Sequence, residues 1–457
     1  MEEIVSRLIE VVGRDRVIYK ANDIVGYTRD YTPIDIYSEL IGELDTNVVV
    51  VQPGSPEEVI YILDIAREAR ARVYVIGGGS SVVGSYRPVK GIVIDMARLN
   101  QIEWYDEDSL IISTGAGAIL REVEDWLNKQ GYTLGHYPQS IDVASIGGLI
   151  TMGSIGMYSS GYGAIEDILV GAEAVIPSIG LVELPPSPRR NTPLPLERML
   201  IGSEGCIGIV TKAYLRVYPK PTGSLRKAYR LDGFGEGVEK LKMISMYRVR
   251  PDMIRLLDEV ETTTLTGLDG AALFIENHLY EGYREAGIYR MRMVEKLLEN
   301  VEEVDTKYFE KWYKTRWNYL EKIVSLYKAG VIVDTFELSI PWGRVTSLYN
   351  LVRDRLMDIE GVVSVSSHIG HIHDIGAGLY TTVLMDVDGF RDTYKSVWRN
   401  ITELSLEYGL SPHHHGVGSI RAEYLEKYYR RWYEGVKKIV EALDPHNILN
   451  IAWLNRG

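Results

Sequence analysis

Residues 47–81, "NVVVVQPGSPEEVIYILDIAREARARVYVIGGGSS", decide the fold class. Val48 to Val51 form a β-branched run suited to a buried strand, and Pro53 and Gly54 stop it. Ser55 follows as a helix cap, with Pro56 at the first helical position and Glu58 completing a capping box. Val59, Ile62 and Ile65 give that helix one apolar face. "ARVYVI" reads as the next strand, and it delivers the chain into Gly77, Gly78, Gly79, Ser80 and Ser81. The unit is strand, turn, helix, strand, glycine loop.

Outward from it, "GIVIDM", "LIISTGAGAI" and the helix "LREVEDWLNKQG" continue the alternation to about residue 220. The prolines and glycine of "YPKPTGSLRKAYRL" mark a break. Beyond it, longer helical segments such as "GYREAGIYRMRMVEKLLENVEEV" mix with the strands "VIVDTFELSI" and "GLYTTVLMDV". The tail "EYLEKYYRRWYEGVKKIVEALDPHNILNI" reads as one long helix ending in a Pro-containing turn. These features predict an α+β protein with a first domain over 1–222, a second over 223–404, and a segment 405–457 that returns to the first domain.

Composition narrows the class. An apolar fraction of 46% with 25% charged residues is that of a globular protein, and no apolar run approaches the roughly 20 residues that span a bilayer. A formal charge of −13 argues against broad nucleic-acid binding, which needs a basic surface. The single cysteine, Cys206, excludes an intramolecular disulfide, and "MEEIVSRLIEVVGRD" is an acidic amphipathic helix pattern rather than a signal peptide. The expectation is a cytoplasmic protein.

A glycine triplet alone reads as a tight turn, or as a cradle in which backbone N–H groups and the Ser80 and Ser81 hydroxyls meet a phosphate. It is neither G-x-G-x-x-G nor a P-loop. Two further glycine-rich stretches, over 135–167 and from 199, suggest backbone lining a large flat ligand. The set "VYVIGGGSSV", "YPQSIDVASIGGLI", "YGAIEDIL" and "GSEGCIGIVTKAYLRV" resembles the PCMH-type FAD-binding domain of the vanillyl alcohol oxidase family. The resemblance implies a two-subdomain FAD-binding domain, an α+β cap domain with an antiparallel sheet for substrate, and FAD held without a covalent bond. It implies that Gly77, Gly78, Gly79, Ser80, Ser81 and Val82 form the pyrophosphate loop. Pro138, Ser140, Ser145, Gly147, Gly148, Gly156 and Tyr162 would line the cofactor, and Glu204, Gly208 and Ile209 would complete the site.

Six of the nine histidines lie in "SHIGHIHDIGAGLY" and "SPHHHGVG". Metal binding, proton transfer and anion recognition all suit clustered imidazoles. On a strand, His413 and His415 would share one face and His414 would take the other. Both segments, with "RPDMIRLLD" and "DTFELSIPWGRV", resemble the alkylglycerone-phosphate synthases within this family. That resemblance makes Tyr380 an acid/base residue near the flavin and His413, His414 and His415 its active-site cluster. Arg255 and Arg344 become substrate-phosphate partners, and no metal is assigned.

In "GSIGMYSS", Gly153, Tyr158 and Ser159 stand where the synthases carry basic residues, and Gln139 stands where an acidic one is expected. The implied function is chemistry through flavin N5 on a small C3 hydroxy or keto substrate. The alternative is an FAD-linked D-lactate or D-2-hydroxy-acid dehydrogenase with a quinone, dye or protein acceptor. A small-molecule substrate and a homodimer are expected, nucleic acid is not, and peripheral lipid contact stays open.

Overall fold

The computed structural model describes residues 2–44, 47–316 and 319–454. The first domain begins with a four-stranded sheet made of β1 (Val17–Ile18), β2 (Asn47–Val51), β3 (Val73–Ile76) and β4 (Lys90–Asp95). Its order is β1-β2-β4-β3, with β2, β4 and β3 parallel and β1 antiparallel at the edge. The helix Pro56–Ala69 connects β2 to β3 as the sequence predicts. Ser55 Oγ accepts from Glu58 N, and Glu58 Oε2 accepts from Gly54 N at 2.6 Å. The helix buries Val59, Ile62, Leu63 and Ile65, each stabilising by roughly 1.5–3 kcal/mol. The strand after the helix does not pair with the strand before it. β4 inserts between them, which leaves β3 at the edge, where Val73 bridges to Leu449 of the C-terminal tail.

In chain order there follow β5 (Ile102–Asp106), β6 (Ile111–Gly115), β7 (Tyr132–Thr133), β8 (Leu169–Ile176), β9 (Gly180–Leu184), β10 (Ile209–Arg216) and β11 (Tyr218–Pro219). Five of them form an antiparallel sheet ordered β5-β6-β10-β8-β9, while β7 pairs with β11. One apolar core joins both sheets and also takes in Leu425, Tyr433, Val440, Leu449 and Trp453 from the tail.

The cap is built on β12 (Gly223–Leu231), β13 (Met253–Leu257), β14 (Ala271–Leu279), β15 (Glu302–Val304), β16 (Val331–Pro341), β17 (Val362–His373) and β18 (Gly376–Asp386). They form one antiparallel sheet, β15-β12-β14-β13-β17-β18-β16, over a second core. Two local expectations need correction. The predicted helix through residue 304 ends at Leu297, because Glu302–Val304 pairs with β12 instead. The tail helix is two helices, Ala422–Tyr429 and Arg431–Leu443, broken at Arg430 with φ 50°. Among the described residues no helix is long and apolar enough to cross a membrane.

Candidate active site

The glycine loop lies directly after β3. A Cβ on Gly78 would lie 1.5 Å from the Val143 carbonyl oxygen, and one on Gly77 would lie 1.8 Å from Ser145 Oγ, so only glycine lets this loop touch the 138–148 turn. In that turn, the Pro138 carbonyl accepts from Ile141 and the Ser140 carbonyl from Val143 and Ala144. Ser145 caps the helix Ile146–Met152 by accepting from Gly148 N, and Gly147 N donates to Ala116 O at 2.7 Å. Among the described residues, the N–H groups of Gly78, Gly79, Ser80, Ser81 and Val82 have no protein acceptor. Five such donors in sequence, beside two serine hydroxyls, fit the diphosphate of FAD.

The other expected lining residues divide in two. Glu204 Oε1 accepts from Val417 N at 2.6 Å, and its Oε2 accepts from Gly418 N at 2.9 Å and from the Ser85 hydroxyl. It thereby ties the histidine segment to the glycine loop. Gly156 and Gly208 are packing positions, their Cβ places lying 2.4 Å from Tyr137 N and 2.8 Å from the Val175 carbonyl oxygen. Ile209 starts β10 and is buried. The Tyr162 hydroxyl reaches across to the cap, 2.6 Å from His278 Nδ1 and 2.7 Å from the Tyr280 hydroxyl.

The histidines are assembled by strand register. Tyr380 on β18 pairs with Glu337 on β16 and with His368 on β17. Ser411 bridges to Ser339 on β16, and residues 413–415 then bend around the Glu337 side chain. Its Oε1 accepts the N–H groups of His413 (3.1 Å), His414 (3.3 Å) and His415 (3.0 Å). Arg421 pairs with the same carboxylate at 3.2 Å, and His415 Nδ1 lies 2.7 Å from Oε2. Because three successive amides converge on one acceptor, the segment is not a strand. The expected facing is therefore overturned: His413 and His414 share a target, and His415 turns to Glu337.

That target is the Tyr380 hydroxyl, 3.0 Å from Nδ1 of His413 and 3.0 Å from Nδ1 of His414. A phenol has one proton, so one ring accepts it and the other presents an N–H. His413 Nε2 lies 2.7 Å from His373 Nε2, and the His368 ring stacks on Tyr380 at 4.9 Å while its Nδ1 meets Glu261 at 2.9 Å. Burial, then Glu337, pushes the Tyr380 phenol well above its ordinary range. Burial, then His373, lowers His413 to about 3, and burial likewise holds His414 and His371 well below the ordinary imidazole value. Tyr380, His371, His413 and His414 are therefore neutral near pH 7. Glu337 is the exception: burial pulls its pKa upward, but Arg421 and His415 outweigh burial and keep it ionised.

Beside this cluster two guanidinium groups share one indole. Arg255 on β13 lies 5.3 Å from the Trp312 ring centroid, and Arg316 lies 5.6 Å from it. Arg316 is buried, its NH1 has no protein partner, and burial, then Arg255, lowers it to about 9. Two adjacent cations with an open donor fit an anionic ligand. Arg344 stands apart: it is exposed and donates to the Tyr408 carbonyl at 3.2 Å. Sequence reasoning missed Arg316, whose only signal is the "WYKTR" juxtaposition, and Glu337, an acid between apolar neighbours in a strand. Among the described residues no group of three or more His, Cys, Asp or Glu is arranged to hold a metal ion.

Comparison with known proteins finds an FAD binding domain over residues 48–184 and the C-terminal domain of FAD linked oxidases over 228–452. An alkyldihydroxyacetonephosphate synthase of Caenorhabditis elegans is 27% identical over 454 residues, covering 89% of this chain and 75% of the relative. A D-lactate dehydrogenase of Archaeoglobus fulgidus is 22% identical over 419 residues, covering 88% and 90%. A solved alkyldihydroxyacetonephosphate synthase superposes with a TM-score of 0.81 at 23% identity, covering 99% of this chain and 86% of that one, which is a likeness of fold.

Proposed function

The chain belongs to the FAD-linked oxidases, and from that premise we propose that it is a flavoenzyme acting on a small C3 hydroxy or keto anion, in the manner of an alkyldihydroxyacetonephosphate synthase. The observation that carries this reading is the Tyr380 hydroxyl held between two imidazole Nδ1 atoms, next to a pair of guanidinium groups with an open donor. The amides of residues 78–82 would hold the FAD diphosphate, and the bound flavin would supply at N5 either a hydride acceptor or a nucleophile toward carbon.

The protein's own groups do the rest. Arg255 and Arg316 bind the phosphate or carboxylate, with the buried Trp312 ring against both guanidinium groups. Tyr380 is a neutral phenol, so it works by taking a substrate proton while giving its own to an imidazole, rather than as a standing phenolate. Burial disfavours an imidazolium at either ring, so the accepting imidazole takes that proton on one nitrogen while giving up its own from the other. Glu337 fixes their backbone and Arg421 balances its charge.

Replacing Tyr380 by Phe tests the reading. FAD content and absorbance should stay at the wild-type level while turnover of acyl-dihydroxyacetone phosphate falls by ~10²–10⁴-fold. Wild-type turnover in that variant would remove Tyr380 from the chemistry. The second reading, a D-2-hydroxy-acid dehydrogenase, is favoured by the likeness to the Archaeoglobus dehydrogenase and by an anion corner that suits carboxylate as well as phosphate. Anaerobic addition of D-lactate and related acids separates the two, because only the dehydrogenase bleaches stoichiometrically with the hydroxy acid.

A further inference from the structure

We propose that His373 is the solvent end of a proton relay running from Tyr380 through His413. This rests on Tyr380 exchanging a proton with substrate, as read above. Among the described residues, His413 is the one ring bonded to the Tyr380 hydroxyl whose second nitrogen is bonded onward: Nδ1 is 3.0 Å from the phenol and Nε2 is 2.7 Å from Nε2 of His373. Tyr380 and His371 are buried, whereas His373 is exposed at the end of β17. The hydrogen bonds therefore lead from the interior to the surface in two steps.

The framework holds both rings in line. The His373 carbonyl accepts from the Ser245 hydroxyl at 2.8 Å and from Trp342 Nε1 at 3.2 Å, which fixes the strand end. The His413 ring lies against Gly378, where a Cβ would be 2.9 Å from its Cε1 and Nδ1, and is parallel to the His371 ring at 5.8 Å. The other groups facing His413 are Glu337, His414 and His415, and those facing His373 are Asp374, Asp167 and Arg250.

Proton balance fixes the tautomers. Tyr380 donates its O–H to Nδ1 of His413, which carries its proton on Nε2 and passes it to Nε2 of His373. His373 carries its own proton on Nδ1 and releases it to water. His414 then presents Nδ1–H to the phenol oxygen. One proton enters at Tyr380 from substrate, one leaves at His373, and no electron moves. Running the relay backward restores every tautomer, so it suits a reaction that returns the proton it takes.

The test replaces His373 by Gln in the FAD-loaded enzyme. Turnover should fall by ~10²-fold, with FAD content unchanged, and added imidazole should restore it in proportion to its concentration. A merely structural role gives no such rescue. A second measurement needs no variant: ¹⁵N-histidine spectra of the substrate-free holoenzyme should show His413 protonated on Nε2. Wild-type turnover in His373→Gln, a loss that imidazole leaves untouched, or an Nδ1–H tautomer at His413 would each overturn the relay. If Tyr380→Phe is inactive while His373→Gln is normal, the relay fails and the proposed function stands. If both are normal, the proposed function itself fails.

Discussion

Glu337 is fully buried between Phe336 and Leu338 and yet ionised, because three amides, the Arg421 guanidinium and the His415 ring all surround its carboxylate. Replacement by Gln keeps the shape and one acceptor oxygen but leaves Arg421 buried without its counter-charge. Breaking a buried pair by removing one partner costs ~3–5 kcal/mol, which denaturant unfolding should reveal at pH 7. The sign with pH follows from the depressed folded value. Glu337 contributes its stability above about 4.5, its unfolded value, and loses it as pH falls through the lower folded value. The gap between wild type and Glu337→Gln should therefore stay constant from pH 8 to about 5 and narrow in stronger acid. A gap that widens in acid would contradict an ionised Glu337.

At the scale of elements, the site is a property of the β16–β18–β17 register. A residue's partner across a strand cannot be read from its own sequence, which explains why the histidine motif was legible and its geometry was not. "VIVDTFELSI" and "GLYTTVLMDV" announce strands by their apolar, β-branched content, but the pairing of Glu337 with Tyr380 is set by the β16–β18 register, and that of His368 with Tyr380 by the turn between β17 and β18 and a bulge near Gly370. The bend of residues 413–415 escaped the reading for a related reason: local pattern suggests extended backbone, and a distant carboxylate overrides it. Gly378 tests how tightly the register serves the chemistry. It lies two residues before Tyr380, and a methyl group there would stand 2.9 Å from the His413 ring. The ring can swing away at little cost to the fold, but then it no longer lines up with both Tyr380 and His373. Gly378→Ala should unfold at nearly the wild-type denaturant concentration and lose turnover by ~10²-fold, the scale of a misplaced proton-transfer group. Equal losses of stability and activity would mean that the glycine serves packing alone.

Across the whole molecule, two separate cores have to hold one site between them, joined by the described part of the C-terminal segment and by a third cluster in which Met157, Tyr158 and Tyr162 pack on the cap. The two-domain order and the glycine loop were legible because they rest on local patterns: a capped helix, β-branched runs and Pro–Gly breaks. Long-range ties such as Val73 to Leu449, or β4 inserted between β2 and β3, leave no local mark. Glu204 makes another of these ties. Its carboxylate takes the amides of Val417 and Gly418 and the hydroxyl of Ser85, so it links the segment that carries the histidines to the end of the loop proposed to hold the FAD diphosphate. It is held in a left-handed conformation, φ 49°, that a non-glycine residue adopts only when its surroundings demand it. Removing the side chain leaves two part-buried amides without acceptors, at up to ~1–3 kcal/mol each. Glu204→Ala should therefore release FAD more readily, with a dissociation constant raised by at least ~10-fold in fluorescence titration, and should raise protease sensitivity around residues 411–420. The isolated cores should be little affected, because Glu204 belongs to neither apolar cluster. If FAD affinity and cleavage pattern both match the wild type, Glu204 is dispensable, and the histidine segment is held by Glu337, by Ser339 and by the backbone bonds of Ser419 N to Gly84 O and Ile420 N to Val83 O.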